Sequence, residues 1–258
     1  MQDLTVTLIQ TELDWENAEA NLRRFDNLLL GLKEDTDLIV LPEMFTTGFS
    51  MNAASLAEDM QGATIDWLQQ TAHRLQAVVA GSIIIVENGK YYNRLCCANP
   101  DGRLQIYDKK HLFRYAGEEK VYTAGDSRLL VEIKGWRIRP FICYDLRFPA
   151  WNRNTGNDYD LAVYIANWPA KRAKHWKILL QARAIENQVY VVGVNRIGTD
   201  GHGFYHSGDS SVIDPQGKLL FRSAHAPCRY SAQLDGGLMN EYRRSFPAWM
   251  DADQLVLR

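Results

Sequence analysis

Leu38-Ile39-Val40-Leu41-Pro42-Glu43 is the stretch on which the fold class turns. Four apolar residues in unbroken succession read as a strand buried on both faces, the kind parallel sheets use, and Pro42 stops it so that Glu43 emerges at its C-terminal end. Toward the N-terminus, Leu4 to Gln10 alternates like a strand. Leu22, Phe25, Leu29 and Leu32 then recur at three- and four-residue spacing, one stripe of an amphipathic helix. Toward the C-terminus, Ile65, Leu68, Ala72 and Leu75 repeat the helical spacing, and Ala77 to Val86 is again a strand-like run. The resulting β-α-β-α-β order predicts an α/β fold.

Farther along, Tyr91 to Ala98 and Arg103 to Tyr107 flank Asn99-Pro100-Asp101-Gly102, and Ser210 to Ile213 and Lys218 to Phe221 flank Asp214-Pro215-Gln216-Gly217. In both turns proline presets φ and glycine accepts a positive one, so each is a hairpin, and the pair suggests an internal pseudo-repeat of sheet architecture. Between them Arg137 to Cys143, Leu161 to Ala166 and Val189 to Val194 read as strands. Lys171 to Asn187 reads as a helix with Ile178, Ala182 and Ile185 on its apolar side. No linker rich in Pro, Gly or Ser interrupts the chain, so one domain is expected over 1–258, with 239–258, carrying Tyr242, Phe246 and Trp249, as a C-terminal tail.

Apolar residues make up 46% of the 258, enough for a substantial core. Lys plus Arg at 29 against Asp plus Glu at 31 gives a net charge of −2, which argues against nucleic acid as a partner. The N-terminal sequence lacks a signal pattern and no apolar run is long enough to span a bilayer, so a cytoplasmic protein without a membrane partner is expected. Cys96, Cys97, Cys143 and Cys228 include an adjacent pair and no C-x-x-C, which favours reduced thiols over a disulfide framework or structural zinc.

Three residues stand where sheets place chemistry. Cys143 closes a strand before the turn-prone Tyr144-Asp145-Leu146-Arg147-Phe148-Pro149, Glu43 ends another, and Lys109 follows the first hairpin. Each has an ordinary alternative: a small buried hydrophobe, a surface acid opening a loop, and one half of a solvated Lys109-Lys110 pair. His202 and His206 have metal-like spacing near Asp200 and Asp209, but no third ligand is fixed and no metal site is expected. His111 and His175 suit hydrogen bonding better than base catalysis.

Taken together, Leu41-Pro42-Glu43-Met44-Phe45, Lys109-Lys110-His111-Leu112-Phe113 and Phe141-Ile142-Cys143-Tyr144-Asp145-Leu146-Arg147-Phe148-Pro149 resemble, in order and separation, the three signature segments of the nitrilase, or carbon–nitrogen hydrolase, superfamily. The resemblance extends to Arg183-Ala184-Ile185-Glu186-Asn187-Gln188 and to the second hairpin. It implies a four-layer α-β-β-α sandwich, dimers formed through helices beside the active site, and a catalytic triad falling on Glu43, Lys109 and Cys143. The family's second glutamate falls on Glu118. No metal or organic cofactor is implied.

Those residue types suit hydrolysis of an amide, a poor electrophile with a poor leaving group. Glu43 would take the thiol proton as Cys143 attacks and pass it to ammonia, Lys109 and the backbone N–H of Tyr144 would hold the oxyanion, and Glu118 would orient Lys109 or the substrate. Within the superfamily, residues 41–51 and Ala166-Asn167-Trp168-Pro169 with Arg172 are most similar to bacterial omega-amidases, which act on 2-oxoglutaramate and 2-oxosuccinamate. Such a keto-amide carries a carboxylate for which Arg147 and Arg172 are the candidates, with Phe45, Tyr144 and Trp168 as apolar walls. The alternatives are an N-carbamoyl amino acid or aliphatic amidase, a metal-dependent phosphoesterase on a similar sandwich, and a non-catalytic binding protein.

Overall fold

The computed structural model describes residues 1–32 and 35–253. Along the first half run β1 (Leu4–Gln10), α1 (Ala18–Leu29), β2 (Leu38–Val40), α2 (Ala53–Leu56), α3 (Ala63–Leu75), β3 (Val78–Glu87), β4 (Lys90–Ala98) and β5 (Leu104–Asp108). The second half holds β6 (Val131–Ile133), β7 (Trp136–Ile142), α4 (Pro149–Asn152), β8 (Leu161–Ala166), α5 (Ala173–Asn187) and β9 (Tyr190–Asn195). It continues through β10 (Ile197–Thr199), β11 (Tyr205–Ile213), β12 (Leu219–Ala224), β13 (Cys228–Leu234) and α6 (Gly236–Ser245). One sheet has the order β13-β1-β2-β3-β4-β5, the other β10-β11-β9-β8-β7-β6 with β12 on β11. Parallel pairings join β1 to β2 to β3 and β7 to β8 to β9, and each sheet takes one of the two anticipated hairpins, β4–β5 and β11–β12.

The period-2 geometry of β2 sets the layers. Leu38 and Val40 enter the core shared by the two sheets, with Val78, Ala80, Ile138 and Val163. Ile39 and Leu41 face the other way, onto Phe25 and Leu29 of α1 and Leu68 and Ala72 of α3. On the second sheet α5 lays down Trp176, Leu180 and Ala184. A Cβ at Gly193 of β9 would come within 2.5 Å of Leu180, so only glycine permits that approach. The outcome is the expected α-β-β-α sandwich.

Two features depart from expectation. The side of α5 carrying Ile178 and Ile185 faces outward, at 54% and 50% exposure, while Trp176, Leu180, Arg183, Ala184 and Asn187 are buried. Arg183 tolerates burial because its Nε and Nη2 donate to the Leu146 carbonyl at 3.2 and 2.6 Å, so a polar residue outcompetes isoleucine for the inner face. The short or half-exposed strands β6, β10 and β13 lack a periodic signature. Yet β13 completes the first sheet, pairing antiparallel with β1 from Leu4 opposite Leu234 to Gln10 opposite Cys228.

The expected tail begins within α6, and its residues 254–258 lie outside the described residues. Met239 is buried, and Arg243 donates to Asp160 Oδ1 at 2.7 Å, the Tyr159 carbonyl at 2.8 Å and the Gln188 carbonyl at 3.0 Å. Burial works against the Asp160 carboxylate, but hydrogen bonds from Arg137 and Arg243 outweigh it and hold its pKa below the ordinary value. The stabilisation is therefore present above the unfolded carboxylate pKa and is lost as pH falls through the folded one. Arg243→Ala leaves Arg137 as the remaining cation on Asp160, and is expected to lower the unfolding free energy by about 3 kcal/mol, measured by urea denaturation at pH 7. The deficit should narrow as the pH is taken below 4.

Candidate active site

Four polar residues leave the C-terminal ends of parallel or adjacent strands and converge between the sheets. Glu43 stands three residues beyond β2, Lys109 one beyond β5, Cys143 one beyond β7 and Asn167 one beyond β8. The chain turns sharply at two of these exits, with φ of 42° at Met44 and 43° at Cys143. Left-handed backbone on a residue with a Cβ is strained, and here it bends the chain away as soon as Glu43 or Cys143 has been delivered.

Lys109 is fully buried. Its Nζ donates to Glu43 Oε1 at 2.8 Å and to both Glu118 oxygens at 3.0 Å, with the Phe49 ring centroid 5.0 Å away. Asn93 Nδ2 spans the two acids, 2.9 Å from Glu43 Oε1 and 3.3 Å from Glu118 Oε1. Burial alone would lower the Lys109 pKa, but the charges of Glu118 and Glu43 more than compensate and raise it. Burial likewise pushes Glu118 up, opposed by Lys109. Lys110, by contrast, has its ammonium 5.3 Å over the Trp151 ring, outside this cluster.

Cys143 is half-buried and free. Its thiol pKa is pushed well up, first by burial, then by the Glu43 charge, with Lys109 pulling the other way and a hydrogen bond to Glu43 adding to the rise. At rest the sulfur is a thiol, facing a carboxylate able to take its proton. The turn behind it is held by Asp145, whose fully buried carboxylate accepts from the Ile142 N–H at 3.0 Å, the His111 N–H at 3.0 Å and the Tyr107 hydroxyl at 2.6 Å. That one side chain ties the Lys109 segment to the Cys143 turn.

A cavity of about 200 Å³ opens on this cluster, with Glu43, Lys109, Cys143, Tyr144 and Asn167 in its wall. Farther out Arg147 lies 4.7 Å over the Trp168 ring, Arg172 5.3 Å over Phe113, and Lys171 4.9 Å over Phe204. None of these three cations makes an ion pair among the described residues. The nearby carboxylate of Asp200 is engaged by the N–H groups of His202 and Phe204, both at 2.9 Å on Oδ1. His206 is buried, its pKa drawn down to about 4 by burial and the charge of Arg196. Among the described residues no cluster of three His, Cys, Asp or Glu is placed to hold a metal ion.

The structure thus gathers Glu43, Lys109, Cys143, Glu118, Tyr144, Arg147, Trp168 and Arg172 at one place, and corrects the placement of Phe45. The left-handed turn at Met44 sends Phe45 away from the cavity, into the core with Phe25 and Trp67 at ring distances of 5.4 and 5.8 Å. It seats there because Gly81 has no Cβ, which would stand 2.8 Å from its ring. Phe49 and Phe113 supply the apolar wall instead. Sequence reasoning missed Asn93, named Lys171 only as the start of a helix, and quoted Asp145 and Asn167 without giving either a role. Asp145 and Asn167 lie inside segments already singled out, and a polar residue directly beyond a buried strand was the available signal.

Comparison with known proteins places the chain in a family. The carbon-nitrogen hydrolase family model matches residues 5–243. The omega-amidase YafV of Escherichia coli (strain K12) is 50% identical over 260 residues, covering 100% of both chains. The 2-oxoglutaramate amidase of Bacillus subtilis is 32% identical over 96% of each. Among solved structures, XC1258 of Xanthomonas campestris, a CN-hydrolase superfamily protein with an arsenic adduct in its active site, superposes with a TM-score of 0.98 at 43% identity over 100% of both chains. From its strand ends to its full-length likenesses, the chain belongs to the carbon-nitrogen hydrolase family of the nitrilase superfamily.

Proposed function

We propose that the protein is an omega-amidase that hydrolyses the terminal amide of 2-oxoglutaramate and 2-oxosuccinamate to the 2-oxo acid and ammonia through a thioester on Cys143. The observation that carries this reading is a cavity with a thiol, a carboxylate and a buried ammonium at its inner end and, at its more exposed end, three cations, Arg147, Lys171 and Arg172, that make no ion pair among the described residues. Full-length identity of 50% to an omega-amidase supports it.

Glu43 takes the Cys143 proton as sulfur attacks the amide carbon, so the anion forms only when needed and the site's net charge is unchanged during transfer. The oxyanion that develops is held by Lys109 Nζ and the Tyr144 N–H. Glu43 returns the proton to the leaving nitrogen, the C–N bond breaks and ammonia departs. Water, deprotonated by Glu43, then attacks the thioester and releases the acid and the thiol. Glu118 touches no substrate in this scheme; it keeps Lys109 charged and aimed.

The outer end suits the rest of the molecule. A 2-oxo acid presents only acceptors, and guanidinium and ammonium groups present only donors. Arg147 and Arg172 bind the carboxylate, with Trp168 and Tyr144 as walls. We further propose that the chain acts as one domain over 1–258, in the cytoplasm, as a homodimer. The outward-facing Ile178 and Ile185 of α5, with exposed Leu219 and Leu220 nearby in the second sheet, support the dimer, and four free cysteines fit a reducing compartment.

Ammonia release from 2-oxosuccinamate and 2-oxoglutaramate should exceed that from glutamine, asparagine, N-carbamoyl amino acids and aliphatic nitriles in kcat/KM. Preference for a carbamoyl substrate would overturn the reading. Cys143→Ala, Glu43→Gln and Lys109→Met are each expected to lower kcat by at least about 10³-fold with the far-UV circular dichroism spectrum retained, while Lys110→Met stays near wild type. Arg147→Ala and Arg172→Ala should raise KM by about 10- to 100-fold, the worth of a charged hydrogen bond.

Because the thiol pKa is raised, alkylation of Cys143 by iodoacetamide should climb with pH through 9, about tenfold per unit. A plateau between pH 6 and 8 would mean a resting thiolate and contradict the mechanism.

A further inference from the structure

Asn167 is 6% exposed and lines the cavity, yet its side-chain oxygen finds no hydrogen-bond partner in the protein. Its orientation is fixed by what its nitrogens do. The backbone N–H donates to Glu43 Oε2 at 2.8 Å, and Nδ2 donates to the Glu43 main-chain carbonyl at 2.5 Å. Flipping the amide would set two oxygens against each other, so Oδ1 has to be the free end. A buried acceptor left unpaired costs stability, and such groups in a site wait for a donor. Every cationic donor of the cavity, Lys109 apart, belongs to its outer end.

We propose that Asn167 Oδ1 accepts one N–H of the substrate's scissile amide and thereby aims the departing nitrogen at Glu43. This rests on the amidase reading and names the group by which the site recognises a primary amide. As sulfur bonds to the carbon, the nitrogen becomes pyramidal and gains the proton Glu43 carries. Its remaining N–H bonds grow more positive, and the bond to Oδ1 strengthens toward the transition state, where it lowers the barrier. The C–N bond then breaks with its electron pair leaving on nitrogen as ammonia. A nitrile or thioester offers no N–H there and gains nothing from Asn167.

The test compares succinamate with the ω-methyl thioester of the same acid, which gives the same acyl-enzyme but needs no nitrogen donor. Asn167→Leu and the smaller Asn167→Ser should each reduce the amide-to-thioester ratio of kcat/KM by at least tenfold, chiefly through kcat on the amide. Equal loss on both substrates in either variant would assign Asn167 to holding Glu43 alone and overturn the proposal, as would undiminished amide turnover. Wild-type enzyme that cleaves the thioester but releases ammonia from no ω-amide would instead overturn the amidase reading, and this inference with it.

Discussion

An ammonium ion fully removed from water survives only if the protein surrounds it with countercharge, and Lys109 has two carboxylates within 3.0 Å. Two acids thus share one cation. Burial first, and the neighbouring Glu43 charge after it, push both the Cys143 thiol and the Glu118 carboxyl upward. On the proposed mechanism the resting site therefore stores its nucleophile as a neutral thiol beside its base. In that mechanism negative charge reaches sulfur only by a proton hop to Glu43, and reaches the substrate oxygen only where Lys109 stands to receive it.

Such a cluster demands a particular architecture. Glu43 and Lys109 belong to the first sheet, Cys143 and Asn167 to the second, so the chemistry depends on two sheets meeting without play. Apolar packing supplies the bulk of that contact, but two polar devices tie the sheets together. Asn167 grips Glu43 by backbone and side chain across 124 residues of sequence. Asp145 joins the Tyr107–His111 segment to the Cys143 turn, which Arg183 of α5 steadies from behind by holding the Leu146 carbonyl. Each is buried with its polar atoms directed at a catalytic segment, which explains why polar residues occupy positions that apolar ones would otherwise fill.

Much of this was legible in the sequence, for identifiable reasons. Strands such as Leu38–Val40 and Leu161–Ala166 announce themselves because burial on both faces needs unbroken apolar runs, and the acid and thiol were found because they interrupt such runs at their ends. Lys109 could be told from Lys110 only through the family resemblance, since both are cations in one segment. What stayed hidden depends on partners far away in the chain. Nothing local distinguishes the inner face of α5 when Arg183 is the residue buried and Ile185 the one exposed. Phe45 was misplaced because a single left-handed residue, Met44, reverses the direction that adjacency to Glu43 suggests. Asn93 looks like any asparagine in a strand until the two glutamates it spans are brought to it.

The most direct test of the Lys109 arrangement is a crystal structure of the Cys143→Ala protein soaked with 2-oxosuccinamate. The amide oxygen should lie about 3 Å from both Lys109 Nζ and the Tyr144 nitrogen, with Nζ still between Glu43 and Glu118. An amide oxygen bound elsewhere, or a lysine drawn out of contact with either acid, would contradict the account.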